Sequence, residues 1–336
     1  PDSRGVRRSR DDHDPSNHLH LKTFRLGGLI PLSEAVPVLE NFGFRVLEEV
    51  PIPLGDGETG YIHDFRLELP SEAEVQAILG RADSIERALT CVFAGASEDD
   101  EFNQLILFAG LDLKPVIWLR AWFRYLRQTG SSFGLITVVD ALRRAPGATM
   151  ALIDLFKALN DPAITRRRDD RVAKLRKDFD DALSRVRSID DDRILRRMRA
   201  LIEAIIRTNA FSPAAAEAVA FKINSSLVPG LPRPIPWREI WVYTPRVEGL
   251  HLRGGPIARG GLRWSDRRDD FRTEILGLMK AQRVKNAVIV PTGAKGGFYH
   301  KQLPDPGRDR DAWAAEGRAS YEVFIRTLLS VTDNIV

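Results

Sequence analysis

The stretch from Arg253 to Lys301 constrains this chain more than any other. It holds three Gly-Gly pairs, Gly254-Gly255, Gly260-Gly261 and Gly296-Gly297, two of them beside a cation, Arg259 and Lys295. Glycine admits positive φ and lets a backbone approach a ligand closely. Between the pairs, residues 271–285 repeat apolar side chains at helical spacing, with Phe271, Ile275, Leu278 and Met279 as the buried stripe and Asp269 or Asp270 as N-cap. Gln282 and Lys285, three apart, project from one face of the last turn. Ala287-Val288-Ile289-Val290 reads as a buried strand ended by Pro291. Residues 292–297 read as a tight loop at its C-terminal end, where ligands bind in open α/β sheets. Three cations and an amide around one concave point suit a small dicarboxylate, one cation for each carboxylate with Gln282 as a further donor. Lys295, flanked by glycine and alanine, is open to close approach. A lysine held near other cations can serve as general acid and base near neutral pH. Singly these features are ordinary: a lone Arg or Lys is mostly a surface charge, and Gly-Gly is mostly a turn. The GAKGG stretch lacks the full phosphate-loop pattern, and GGPIARGG is not G-x-G-x-x-G. The weight rests on the joint arrangement.

With 336 residues the chain has room for two or three domains. Residues 1–17 are charged and read as a disordered or cut terminus. Residues 18–70 give a β-α-β-β order: HLHLKTFRL alternates like a strand, Gly27-Gly28 ends it, a helix from Pro31 to Phe42 carries Leu32, Val36 and Leu39 with Ser33 as N-cap, and Gly43 stops it before two more strands. That order resembles an ACT-like regulatory module, with a ligand-free scaffold as the alternative. Residues 71–210 read as helical. Trp118, Trp122 and Tyr125 form an aromatic stripe of the kind that is usually core. Residues 166–171 read as a solvated charged connector, and a single long helix is expected from about Val172 to Asn209. Residues 211–336 open with strands in VAFKINSSLV, REIWVYTP and GLHLRG. The predicted class is α+β and α/β multidomain.

Charge excludes some functions. There are 50 basic and 46 acidic residues, a net charge of +4, so no dedicated nucleic-acid surface is expected. No apolar run approaches the roughly 18–20 residues of a membrane span. The single cysteine, Cys91, allows no intrachain disulfide and fits a reducing cytoplasm. No metal site is expected.

G-G-L-R-W, a helix ending in K-N-A, a strand, then P-x-G-A-K-G-G is similar to the substrate domain of glutamate dehydrogenases. The wording ARGGLRWSDRRDDFRTEILGLMKAQ, with YEVFIRTLLSVTDN after it, resembles the large bacterial NAD-dependent type, most densely from Phe221 to Val336. The resemblance implies an α/β substrate domain of the amino-acid dehydrogenase type at 211–336. It implies oxidative deamination of L-glutamate to 2-oxoglutarate and ammonia with NAD as cofactor, in a cytoplasmic homo-oligomer with a candidate amino-acid effector site in the ACT-like module. It assigns proton transfer to Lys295, the α-carboxylate to Lys285, the adjacent amide to Gln282 and the γ-carboxylate to Arg259, beside Gly260 and Gly261. Arg259 stands where the small hexameric enzymes carry lysine, and arginine keeps the charge and can bind bidentately. Arg263 and Asp266 take supporting roles. The catalytic aspartate and the Rossmann domain that binds NAD are expected beyond Val336, so the chain reads as truncated and inactive alone. The alternatives are a noncatalytic regulatory or oligomerisation fragment and a basic nucleic-acid binder.

Overall fold

In the computed structural model, residues 4–9, 15–55, 59–285 and 292–332 are described, with backbone alone at 4–9, 73 and 283–285. The chain forms two compact units, Pro1–Arg120 with Leu135–Pro146, and Ala121–Gly134 with Gly147–Val336.

The first unit begins with a strand, β1 (Arg4–Ser9), where a disordered or cut terminus was expected. It pairs antiparallel with β2 (His18–Leu26), from Arg4↔Arg25 to Ser9↔His20, so this segment has ladder partners that its own charged sequence does not advertise. Helix α1 (Leu32–Phe42), β3 (Arg45–Leu54) and β4 (Gly60–Glu68) complete an antiparallel sheet in the order β1-β2-β4-β3. Leu19, Leu21 and Thr23 of β2 are buried and alternate with half-exposed His18, His20 and Lys22, the period-two pattern of a sheet with one covered face. Helix α1 is rotated from its expected phase. Pro31, extended at φ −60 and ψ 137, is the N-cap, which puts Ser33 inside the first turn, and the buried side chains are Ala35, Val38, Leu39 and Phe42. Gly43, at φ +98, ends the helix in the left-handed conformation that glycine adopts without steric cost.

The expected helical region is α2 (Glu72–Gly80), α3 (Ala82–Phe93), α4 (Gln104–Phe108), α5 (Leu113–Gln128), α6 (Leu135–Arg144), α7 (Pro146–Asn160), α8 (Arg168–Leu183) and α9 (Ile189–Ala204). It contributes to both units, and the division falls within α5. The single long helix expected after Val172 is two helices: the first ends at Leu183 with Ser184 as its C-cap, and Ser188 caps the second, accepting from Asp191 N at 3.3 Å ahead of three consecutive aspartates. Arg168 is no solvated connector: its guanidinium donates to the carbonyls of Leu159, Asp161 and Ile164 at the end of α7. The aromatic stripe is core, with Trp118, Trp122 and Tyr125 at most 3% exposed.

The second unit is built on β5 (Ile205–Thr208), β6 (Val219–Ile223), β7 (Arg238–Tyr243), β8 (Val247–Arg253), β9 (Arg259–Trp264) and β10 (Gly293–His300), in the order β5-β6-β7-β8-β10-β9. Neighbours are antiparallel except β9 and β10, which are parallel. Helix α10 (Phe271–Lys285) joins these last two strands, and α11 (Arg310–Leu329) follows β10. Phe324 and Val323 of α11 pack with Ile240, Val242, Val247 and Phe298 on one sheet face. Trp241, on the other face, donates to Ala121 O of α5 and stacks on Phe271 of α10. No helix among the described residues is long and apolar enough to cross a membrane.

Candidate functional site

β10 lies between β8 and β9, and its register sets Lys295 beside Leu252 of β8 and Gly261 of β9. Register partners share a face and successive residues alternate. One face therefore carries Lys295 and Gly297 of β10, Leu250 and Leu252 of β8, and Arg259, Gly261 and Arg263 of β9. Helix α10 covers it: a Cβ on Gly297 would stand 2.3 Å from Ile275 Cδ1, and Arg263 Nε donates to Glu274 Oε1. The opposite face, with Gly296 and Phe298, packs against α11, whose Phe324 approaches to 2.3 Å from a Cβ built on Gly249.

The expected loop around Lys295 is a strand. β8 and β9 bond it from both sides, and glycines without side chains let them approach. Lys295 is half-buried on this strand. Its ammonium lies over Gly261, where a Cβ would stand 3.8 Å from Nζ. Arg259 is two residues before Gly261, about 6.6 Å along the strand, exposed and on the same face. Among the described residues neither Arg259 nor Lys295 has a carboxylate at ion-pair distance, whereas the neighbouring Arg263 and Arg267 are paired with Glu274 and Asp270.

The remaining predicted residues are placed unevenly. Gln282 is half-buried on the last turn of α10, seven residues beyond Ile275 and so on the stripe that faces the sheet. The side chain of Lys285 and the expected strand at 287–290 lie outside the described residues. Asp266 is exposed in the turn between β9 and α10. Neither candidate aspartate caps α10 with its side chain. Asp269 binds Arg124 and Asp270 binds Arg267, while Gln128 of α5 takes the capping place, accepting from Arg272 N at 3.0 Å and donating to Arg268 O at 2.7 Å. Leu276 is buried in the stripe and Leu278 only half so.

The glycines carry a testable contrast. A Cβ on Gly260 would lie 1.4 Å from Ala294 O, a backbone atom that cannot give way. Gly260→Ala should peel β9 from β10 and lower Tm clearly in a circular-dichroism melt. Gly261→Ala meets only ordinary van der Waals contact and should melt close to the parent.

Sequence reasoning missed the charges that hold α10 to the sheet. Arg272 and Glu239 are fully buried and joined by two hydrogen bonds, Nε to Oε2 at 2.9 Å and Nη2 to Oε1 at 2.6 Å, and the Tyr125 hydroxyl also donates to Oε2 at 3.2 Å. Burial and then Glu239 push the Tyr125 phenol well above its ordinary value, so it remains the donor. Alongside, buried Glu248 receives Arg124, and Lys301 stands at 3.5 Å. A legible signal existed: Glu239 shares strand phase with Trp241 and Tyr243, and a carboxylate in that phase needs a cation.

On the other face His251 pairs in register with Gly296. Burial, and then Arg253, lower its pKa from 6.5 to about 4. Between these values the unfolded chain binds more protons, so this group's contribution to stability is full above about 6.5 and is lost as pH falls toward 4. The slope is at most about 1.4 kcal/mol per pH unit. His251→Gln should flatten the acid side of a Tm-against-pH curve, and an unchanged slope would assign the acid loss elsewhere.

The N-termini of α10, α11 and α1 are poor seats for the pyrophosphate of a dinucleotide. The N-terminus of α10 carries Asp269 and Asp270 and is capped by Gln128, that of α11 is capped by Asp309, and α1 starts at Pro31 with Glu34 in its first turn. Of the three, α1 alone follows a strand and a glycine pair, Gly27-Gly28, and it opens on Pro31, which has no N–H to donate, and on Glu34, whose charge repels a phosphate.

Residues 5–78 match the profile of the glutamate dehydrogenase ACT3 domain, 97–162 that of glutamate dehydrogenase helical motif 3, and 178–336 that of the bacterial NAD-glutamate dehydrogenase catalytic domain. The chain belongs to the bacterial NAD-glutamate dehydrogenase family. It is similar to proteins named NAD-specific glutamate dehydrogenase: 46% identical to that of Halomonas elongata over 95% of this chain, and 44% identical to those of Mycobacterium tuberculosis and Pseudomonas aeruginosa over 96% and 94%. It spans about a fifth of the length of these relatives, 20%, 21% and 20%. Within this family the Lys295 face belongs to the catalytic-domain match, and the four-stranded sheet to the ACT3 match.

Proposed function

We propose that the chain supplies the glutamate-handling segment of an NAD-dependent glutamate dehydrogenase, which deaminates L-glutamate oxidatively to 2-oxoglutarate and ammonia. The observation that carries this reading is the pairing of Arg259 and Lys295. Among the described residues, both lie without an ion-pair partner on one sheet face beside Gly261, under the helix that bears Gln282. Arg259 holds the γ-carboxylate in a charge-assisted bond. Lys295 stands at the amine carbon, moves the proton there and polarises the oxo or imino group. Gly261 leaves open the space under the Lys295 ammonium, and Gly260 lets β9 approach β10 closely enough to form the face. Lys285 takes the α-carboxylate and Gln282 the adjacent bond, with Arg263 and Asp266 in support. Binding on this face orients the substrate. Hydride acceptance is assigned to none of the described residues. The same reading makes the protein a cytoplasmic homo-oligomer of the amino-acid dehydrogenase type, with an amino-acid effector at the ACT-like sheet.

Calorimetric titration of the chain with 2-oxoglutarate and with glutarate tests it. Both should bind, and Arg259→Ala should abolish glutarate binding. A folded chain that takes neither would sink the reading and leave a noncatalytic regulatory role in its place.

A further inference from the structure

β9 is a poor strand by its own sequence. Gly260 and Gly261 offer no side chain to pack, and Arg259, Gly260, Gly261, Arg263 and Trp264 are all exposed. Glycine-rich strands with exposed faces specify register weakly. A slip of two residues would keep the faces but carry Arg259 about 6.6 Å along Lys295. On the α11 side Leu262 and Trp264 pack against the core, Trp313 and His300, and on the Lys295 side Glu274, in the first turn of α10, is placed to pin the strand lengthwise.

Glu274 takes one donor on each oxygen, and both come from β9 or the residue after it. Arg263 Nε donates to Oε1, and Ser265 Oγ donates to Oε2 at 2.7 Å. Arg263 and Ser265 are two apart, in the phase of Gly261 and Arg259, and Ser265 is buried with its amide bonded to Phe298 O at 2.9 Å. One carboxylate thus grips two successive inward positions just downstream of the substrate face, from the helix that carries Gln282 and Lys285. Its pairing with Arg263 also settles which cation on this face is occupied by the protein itself.

We infer that Glu274 is a positioning residue: it fixes the lengthwise register of β9, and so the separation of Arg259 from Lys295. The separation it sets is that of two carboxylate-binding points, so it selects the length of the dicarboxylate accepted. This last step rests on the proposed glutamate reading, whereas the register clamp does not.

The test uses Glu274→Gln, which keeps the shape and an acceptor but loses the charge. Amide hydrogen exchange read by mass spectrometry needs no ligand. Exchange across residues 259–264 should rise on the order of tenfold, with β7 and β8 unchanged. In calorimetry the variant should bind glutarate on the order of tenfold more weakly while losing its preference over succinate and adipate. Unchanged exchange at 259–264 would overturn the clamp. A rise spread evenly over the whole sheet with a fall in Tm would also overturn it, because Glu274 would then be a general structural contact. Local loosening with chain-length preference intact would overturn the selectivity step. If the parent chain binds no dicarboxylate, the functional reading fails, and with it the selectivity, while the exchange result still decides the clamp.

Discussion

Lys295→Ala, introduced into a protein of the relatives' full length, should lower kcat by about 10²–10⁴-fold, the usual worth of general acid–base assistance. Loss of positive charge beside a developing carbinolamine adds to that. The fold should persist. Lys295 is half-buried, its ammonium lies over a glycine, and among the described residues no carboxylate is left unpaired by its removal. The ladders of β8 and β9 hold the backbone at this position whatever the side chain. Arg259→Ala and Lys285→Ala should behave differently. Anchoring a carboxylate acts on ground state and transition state alike, so they should chiefly raise KM for glutamate. Steady-state kinetics with glutamate separates the two outcomes. If Lys295→Ala kept a normal kcat and changed only KM, Lys295 would be a binding residue.

What could be read in advance follows from where the information lies. The β2 alternation, the stop at Gly43 and the aromatic core of α5 are local patterns, and the structure contains all three. The phase of α1 was misjudged because Pro31, not Ser33, starts it. The break at 184–188 was missed although Ser188 ahead of Asp190, Asp191 and Asp192 is a local N-cap signal. The residues around Lys295 were read as a loop because glycine weakens a strand seen alone. Its strand character comes from β8 and β9, whose Leu252 and Gly261 pair with Lys295 from far back in the chain, which no local pattern reports. The same holds for β1, which is charged and is a strand only through β2. The cations proposed for the site come from a motif local in the chain. The paired carboxylates Glu239, Glu248 and Glu274 have no such local signature, because each finds its cation across the fold rather than along the chain.

Glu239→Leu should destabilise the second unit by about 3–5 kcal/mol, the usual cost of removing one partner from a buried ion pair. Arg272 would keep its charge with 0% exposure and no carboxylate, and the Tyr125 hydroxyl would lose its acceptor. Among the described residues the Nη1 atom of Arg272 has no partner, so Glu239 supplies the guanidinium's side-chain bonds. Replacing both partners should be far milder. Glu239→Leu with Arg272→Met removes the desolvated charges together, and such exchanges are often neutral or stabilising. The damage should also reach the site. Arg272 stands at the start of α10, beside Phe271, which stacks on Trp241, and this contact seats the helix that carries Glu274 and Gln282 over the sheet. Urea unfolding followed by tryptophan fluorescence measures the three chains, and Trp241 lies within the affected contact. A Glu239→Leu loss below about 1 kcal/mol would mean that Arg272 finds water or turns outward. The pair would then be a local convenience and not what fixes α10 against β7.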